Sequence, residues 1–154
     1  MEMPKPTAAH HKLEMLVGRW SGEERLYPSP FDPAGGTALA RIENRSVLDG
    51  FAVVHDYEQE RSGSVNLRGH GVLRYDAMQQ CYEMYWFDSM GMTPNVFRGN
   101  FEGEVLSLSC KDAQSHSRAT FDLGVKGQYK FRMDVSPDGN QWFPFMEGQY
   151  TRKS

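Results

Sequence analysis

Apolar and polar residues alternate along most of the chain in short segments, the pattern of β-strands that bury one face and expose the other. Sequences that favour tight turns, such as Asp49-Gly50, Ser62-Gly63 and Glu102-Gly103, separate many of these segments. The alternation predicts ten strands, at residues 18–27, 37–48, 51–61, 65–76, 80–88, 95–101, 104–110, 116–124, 127–136 and 140–152.

Helical spacing occurs only near the start of the chain. Thr7 has the side chain of an N-cap, and Leu13 and Leu16 fall on one face of the short helix that would follow it. No linker or repeat divides the remaining sequence. We therefore expect residues 1–6 to form a disordered tail and residues 7–153 to form a single domain.

Ten strands joined mostly by tight turns predict antiparallel pairing in sequence order. An open sheet of ten strands would leave two exposed edges, whereas closure into an up-and-down barrel removes them. The fold class predicted is therefore all-β, a closed ten-stranded antiparallel barrel of lipocalin-like type with a short N-terminal helix. A two-sheet β-sandwich is the alternative that the same spacing permits.

The two longer connections, residues 28–36 and 89–94, would lie at the same end of such a barrel. The opposite end would carry short turns and the helix. A barrel of more than about eight strands leaves interior space that side chains do not fill. The asymmetry between the two ends therefore predicts a ligand entrance at the end with the long loops.

Composition narrows the class of partner. Hydrophobic residues make up 39% of the chain, and 17 basic residues stand against 20 acidic ones for a net charge of −3. The sequence contains no basic stripe, so nucleic acid is not an expected partner. No apolar run approaches the length of a membrane span, and the start lacks the apolar stretch of a signal peptide, so we expect a cytoplasmic protein without a membrane partner.

The segment Gly18-Arg19-Trp20, preceded by a short helix, resembles the opening of the lipocalin-like or calycin barrels. The resemblance implies that Trp20 closes the floor of the barrel and that a basic residue at the end of the last strand packs on it. Arg152 matches that partner in position, and a guanidinium over an indole is a favourable cation–π pair.

Four further segments resemble a bacterial family catalogued as a domain of unknown function and grouped with the lipocalin-like and nitrobindin-like barrels. The resemblance covers residues 11–153. It rests on Leu48-Asp49-Gly50-Phe51, Gly69-His70-Gly71 with Tyr75-Asp76, Trp86-Phe87-Asp88-Ser89-Met90-Gly91 and Glu147-Gly148-Gln149-Tyr150-Thr151-Arg152. The resemblance implies a fold more than an activity.

Relatives of the nitrobindin type bind haem through a histidine in a late strand. The histidines here are His10, His11, His55, His70 and His116, and none lies in the last two predicted strands. Haem is therefore not expected, and we predict no cofactor.

The hairpin of residues 65–76 and 80–88 supplies the first candidate site. If Tyr75 lies opposite Tyr82, then Gly71 lies opposite Trp86 and leaves space for the indole, and Arg74 pairs with Glu83 on the other face. The inward residues of this register are Tyr75, Tyr82, Met84, Trp86 and Asp88, which we take as candidate ligand-binding residues. The alternatives are that Trp86 is a core residue and that Asp88 bonds the backbone of its turn.

The preceding hairpin suggests a weaker candidate, a metal site. With Ser62-Gly63 as a two-residue turn, His55 lies directly opposite His70. Two imidazoles on one face could hold a metal or relay a proton. The same register, however, places Gly69 and Gly71 on the other face, and a third ligand is missing, so we predict no metal.

Three more residues complete the candidate ligand site. Arg98 either receives a ligand carboxylate inside the barrel or is a solvated outward residue, and the sequence favours neither. Met90 and Met92 lie in the loop of residues 89–94. They either gate the entrance as flexible apolar side chains or simply tuck against the barrel.

Three functional hypotheses follow. The first is a binding module for a small apolar or amphipathic molecule in the barrel cavity. The second is an enzyme that carries out acid–base chemistry on such a ligand, with Asp88 as the candidate catalytic carboxylate; we expect catalysis less than binding. The third is an interaction module with a filled barrel, which would form a homodimer through outward Val72, Tyr85 and Phe87.

Overall fold

Ten antiparallel strands form a closed barrel in the computed structural model, which describes residues 1–112 and 114–153. Each strand pairs with its neighbours in sequence, and the first pairs with the last, so the topology is up-and-down. The predicted barrel is confirmed and the alternative sandwich is wrong. The strands are β1 Gly18–Leu26, β2 Gly36–Val47, β3 Ala52–Arg61, β4 Ser64–Asp76, β5 Cys81–Asp88, β6 Asn95–Glu102, β7 Val105–Lys111, β8 His116–Asp122, β9 Gln128–Ser136 and β10 Phe143–Arg152.

Alternation explains why these segments form strands. In β2, Ala38, Ala40 and Ile42 are buried, whereas Arg41 and Glu43 between and beside them are exposed. Successive side chains of a strand point to opposite faces, so one face of β2 fills the barrel and the other meets solvent. The barrel core is built in this way from every strand.

The N-terminal segment closes one end of the barrel, which we call the floor. Helix α1 (Ala8–His11) continues into a 3₁₀ turn over Lys12–Leu16, and Leu13 and Leu16 are each only 1% exposed. Lys12 Nζ donates to the carbonyl of Gly103 at 2.9 Å, which ties the segment to the β6–β7 turn. The helix therefore lies at the end of the barrel opposite the two long loops, as predicted.

Trp20 and Arg152 complete the floor. They are direct cross-strand partners of β1 and β10, and the Arg152 guanidinium carbon lies 4.6 Å from the centre of the indole. Trp20 Nε1 also donates to the carbonyl of Leu16 at 2.9 Å. The predicted barrel-closing pair is confirmed, and it joins the first strand, the last strand and the N-terminal segment.

Strand register confirms one predicted hairpin and corrects the other. In β4–β5, Gly71 lies opposite Trp86 and Arg74 opposite Glu83, as expected. In β3–β4, a bulge at Gln59 and Glu60 shifts the register by one residue, so that His55 lies opposite Gly71. The predicted opposition of His55 and His70 is therefore wrong, because Asn66 is an extra, unpaired residue of β4 between Val65 and Leu67.

The two long connections, residues 27–35 between β1 and β2 and residues 89–94 between β5 and β6, lie at the other end, which we call the mouth. Arg61 fixes the first of them. Its guanidinium donates to Asp32 at 2.7 Å and to the carbonyl of Gly35 at 2.9 Å. In the described part of the chain, none of the helices is long and apolar enough to cross a membrane.

Candidate functional site

The barrel encloses a cavity of about 500 Å³ that reaches the mouth. Residues of the mouth loops, including Tyr27, Ser29 and Met90, line its outer part, and inward side chains of the strands line the rest. The N-terminal segment and the Trp20–Arg152 pair close the other end. The cavity therefore has one entrance, and its two walls differ in chemistry.

One wall, the apolar wall, comes from strands β5, β6, β8 and β9. Aromatic and methionine side chains make up this wall, and their flat or flexible surfaces suit an apolar ligand of irregular shape. Its members are Met84, Trp86, Phe97, Phe121, Phe131 and Met133.

Two glycines determine where Trp86 lies. Gly69 and Gly71 face inward on β4, opposite Asp88 and Trp86, and the indole lies over them. A Cβ on Gly69 would overlap the outer edge of the indole. Trp86 Nε1 donates to Asp88 Oδ2 at 2.9 Å, and Asp88 Oδ1 accepts from the backbone N–H of Met90 at 3.0 Å. Asp88 thus links the apolar wall to the mouth loop.

The opposite wall, the polar wall, is built around a buried carboxylate. Glu24 on β1 is only 1% exposed. It accepts hydrogen bonds from Tyr57 Oη at 2.7 Å, Tyr150 Oη at 2.6 Å and Gln59 Nε2 at 2.9 Å. Because Asn66 donates to Gln59 Oε1 at 2.9 Å, the amide of Gln59 is oriented with its nitrogen toward Glu24. All three groups around the carboxylate are neutral donors.

The two tyrosines remain donors over the physiological pH range. Burial, followed by the neighbouring Glu24 carboxylate, raises the pKa of both Tyr57 and Tyr150 above its ordinary value. Gly148 makes room for this arrangement, since a Cβ there would overlap the Tyr150 ring. The polar wall that faces the cavity consists of Tyr57, Gln59 and Tyr150, and Glu24 lies directly behind them, outside the cavity lining.

His55 lies deeper, next to the floor, and also lines the cavity. Its Nδ1 lies 2.7 Å from Asn44 Oδ1, and Asn44 Nδ2 donates to the carbonyl of Leu16 at 2.8 Å. Since the amide oxygen of Asn44 can only accept, Nδ1 carries the proton and Nε2 is left as an acceptor. Burial lowers the pKa of His55 to about 4, so the imidazole is neutral near pH 7.

Tyr129 supplies a further polar atom. It is 1% exposed, lines the cavity, and packs at 4.8 Å from Trp20 and 4.9 Å from Tyr150, measured between ring centroids. Within residues 1–112 and 114–153, its hydroxyl has no hydrogen-bond partner. A buried hydroxyl without a partner costs free energy, which makes it a candidate contact for a ligand.

A wider depression of about 730 Å³ lies on the outside of strands β1–β5. Charged side chains line it, and they pair with one another: Arg41 with Glu58 at 3.3 Å, and His70 with Asp56 at 2.6 Å. Exposed pairs of this kind contribute little and leave few groups free for a ligand. The barrel interior is therefore the candidate site.

The family model described as "Protein of unknown function (DUF1579)" matches residues 5–152. The chain belongs to the DUF1579 family. The resemblance to a domain of unknown function is thereby confirmed. No curated protein matches the chain.

Solved structures share the fold of this DUF1579 protein. Rv2717c from M. tuberculosis is 14% identical, with a TM-score of 0.71 over 96% of this chain and 99% of that one. The S-type phycobiliprotein lyase CPES from Guillardia theta is 10% identical, with a TM-score of 0.64 over 97% and 99%. At these identities the likeness shows the shared fold alone.

The predicted ligand residues of the DUF1579 barrel fall in three places: the cavity lining, the floor and the outside of the barrel. Met84, Trp86, Asp88 and Met90 line the cavity, whereas Met92 is outside its lining and 73% exposed. Tyr75 and Tyr82 face inward but belong to the floor. Tyr82 Oη donates to the carbonyl of Ala9 at 2.6 Å, and Tyr75 packs against the ring of His10.

Arg98 does not enter the barrel. Its Nε donates to Glu83 Oε2 at 2.7 Å on the outer face, where Arg74 contacts the other oxygen of the same carboxylate. The interpretation of Arg98 as an internal carboxylate receptor is therefore wrong, because its neighbour Phe97 takes the inward position of β6. His70 is likewise on the outer face, so it cannot share a metal with His55.

Sequence patterns did not identify five residues of the site: Glu24, Tyr57, Gln59, Tyr129 and Tyr150. The alternation of inward and outward residues in β1 could have identified one of them. Glu24 lies four residues after Trp20 in the same strand, so a strand that turns Trp20 inward also turns Glu24 inward.

Proposed function

We propose that this DUF1579 barrel binds one small amphipathic molecule in its cavity. The apolar body of the ligand lies against the apolar wall, and its polar group lies against the polar wall. The observation that carries the proposal is the single-entrance cavity of about 500 Å³ with two chemically different walls. Pockets of this size and lining are typical of small-molecule sites.

Binding accounts for the interior better than a filled interaction module does. A barrel that served only as a scaffold would gain stability by filling this space, because lost packing contacts cost free energy. The outward Phe87 is 48% exposed, so the homodimer remains a prediction that the size of the protein in solution can test.

Acid–base catalysis at Asp88 has less support than binding. Its two carboxylate oxygens accept hydrogen bonds from the Trp86 indole and the Met90 backbone, which is the role of a turn residue. One protein of this fold is, by its name, a phycobiliprotein lyase. The fold can therefore carry an enzyme, but at 10% identity the likeness assigns no residue.

Displacement of a neutral fluorescent probe, N-phenylnaphthylamine, tests binding. Wild-type protein should take up the probe and release it to medium-chain alcohols. Each buried CH₂ contributes about 0.8 kcal/mol. Two added carbons should thus lower the Kd roughly ten-fold until the cavity is full.

A pair of variants on β9 tests whether the probe binds inside the cavity. Met133→Trp adds bulk to the apolar wall, whereas Lys130→Trp places the same side chain on the exposed face of the same strand. Met133→Trp should abolish probe uptake, and Lys130→Trp should leave it unchanged. Folded wild-type protein that takes up no probe, or equal uptake by both variants, would contradict the proposal.

A further inference from the structure

Charge inside the barrel is unbalanced. Glu24 is surrounded by neutral donors, and in residues 1–112 and 114–153 no lysine or arginine pairs with it. Asp88 adds a second carboxylate at the mouth. The cationic side chain that lines the cavity, Arg61, is paired with Asp32 at 2.7 Å. The imidazole of His55 is neutral near pH 7.

A buried carboxylate without a counter-charge is costly, and hydrogen bonds offset that cost only in part. A ligand cation that entered the cavity would remove the imbalance. A ligand carboxylate would meet like charge, and the lining arginine that could offer it a charge-assisted hydrogen bond, Arg61, is already paired with Asp32. Arg98, the sequence candidate for that role, lies on the outer face beside Glu83.

The free polar atoms of the cavity point to the same class of ligand. His55 Nε2 is an acceptor without a hydrogen bond to any residue that the structure describes, and the Tyr129 hydroxyl is buried without a partner. An ammonium group offers three N–H donors and accepts none. Aromatic rings surround the site, with Tyr57 and Trp86 at 6.1 Å between centroids, and their faces attract cations.

We propose that the ligand's polar group is a cationic amine, so that the cavity selects an alkyl- or arylammonium ion over the corresponding carboxylate. The inference rests on the proposed function, since it names the ligand class of the same cavity. Glu24 acts through its charge from behind Tyr57 and Tyr150, Asp88 adds a carboxylate at the mouth, and His55 and Tyr129 supply acceptors for the N–H groups.

Three probes that share one chain test this selectivity: octylamine, octanol and octanoate, each used at about pH 7 to displace N-phenylnaphthylamine. The amine is protonated and the acid ionised at that pH. Octylamine should bind at least about ten-fold more tightly than octanoate, which corresponds to about 1.4 kcal/mol. Octanol should fall between them.

Two neighbouring glutamates give a matched pair of variants. Glu24→Gln removes the buried charge and should bring the amine-to-acid ratio close to one, with little change for octanol. Glu23→Gln, one residue away on the exposed outer face, should keep the wild-type ratio. Tyr150→Phe serves as a second variant, and circular dichroism checks the fold of each. Tyr150→Phe removes one hydrogen bond that offsets the charge of Glu24, so the preference for the amine over the acid should rise.

The outcomes separate the two proposals. Equal binding of all three probes, tighter binding of octanoate, or an unchanged ratio in Glu24→Gln would overturn the amine inference while leaving a small-molecule cavity in place. Failure of folded wild-type protein to bind any probe would overturn the proposed function and the inference with it.

Discussion

Gly69 offers a direct test of how Trp86 shapes the cavity. The backbone φ of Gly69 is not positive, so the residue is glycine because of space and not because of its conformation. A Cβ in Gly69→Ala would overlap the edge of the indole, which would have to move into the cavity. Gly71→Ala is the matched control, since its Cβ would lie 3.5 Å from Trp86 and 3.6 Å from His55, at ordinary contact distance.

The two substitutions should differ in the size of their effect on stability. Overpacking costs about 1–3 kcal/mol, and movement of the indole also breaks the partly buried hydrogen bond from Trp86 to Asp88, worth about 1 kcal/mol. Replacing glycine by alanine also stabilises the folded state by about 0.4–1 kcal/mol, because alanine lowers the conformational entropy of the unfolded chain. Gly69→Ala should therefore lower the free energy of unfolding by about 2 kcal/mol, and Gly71→Ala should change it by less than about 0.5 kcal/mol.

Urea denaturation measures the stability difference, and probe displacement measures the cavity in the same samples. Gly69→Ala should weaken N-phenylnaphthylamine binding and shift tryptophan emission, whereas Gly71→Ala should do neither. Wild-type stability and probe affinity in Gly69→Ala would refute the idea that Gly69 is needed to leave space for the Trp86 indole. Equal damage from both substitutions would assign the effect to the β4 backbone instead.

Two further predictions concern the buried histidine and the floor. Burial lowers the pKa of His55 to about 4 from 6.5, so protons bind the unfolded chain first and stability falls as pH falls between those values, by about 3 kcal/mol at most. Urea denaturation at a series of pH values should show a flatter profile for His55→Gln, and an unchanged profile would contradict this origin. Arg152→Ala removes the cation from the Trp20 ring and should lower the free energy of unfolding by about 1 kcal/mol, whereas Lys153→Ala should leave it unchanged, as measured by thermal denaturation.

The sequence predicted the barrel well because its turns are chemically marked. Asp49-Gly50 and Ser62-Gly63 both fall between observed strands, and alternation identified all ten strands. Differences are confined to strand ends, such as the start of β10 at Phe143 instead of residue 140. Turn residues with special backbone preferences fix where strands stop, whereas the ends beside longer loops depend on tertiary contacts.

The site was harder to predict because its members come from distant segments. Alternation alone could have turned Glu24 inward, but charged residues are rarely buried without a partner. The groups that make its burial tolerable are Tyr57, 33 residues away in sequence, and Tyr150, 126 residues away. Only closure of the barrel brings β10 beside β1, so no local sequence pattern shows that Glu24 has hydrogen-bond donors nearby.

A single extra residue determines the charge of the cavity. Asn66 is the extra residue of the bulge opposite Gln59 and Glu60, and it places Tyr57 opposite Gly69, so both face the interior. Without the bulge, Tyr57 would lie opposite Arg68 and share its face. Either Arg68 would then enter the barrel and neutralise Glu24, or Tyr57 would leave it and take away a donor. The bulge thus keeps the arginine outside and the tyrosine inside, and the selectivity that we propose for a cationic ligand depends on it.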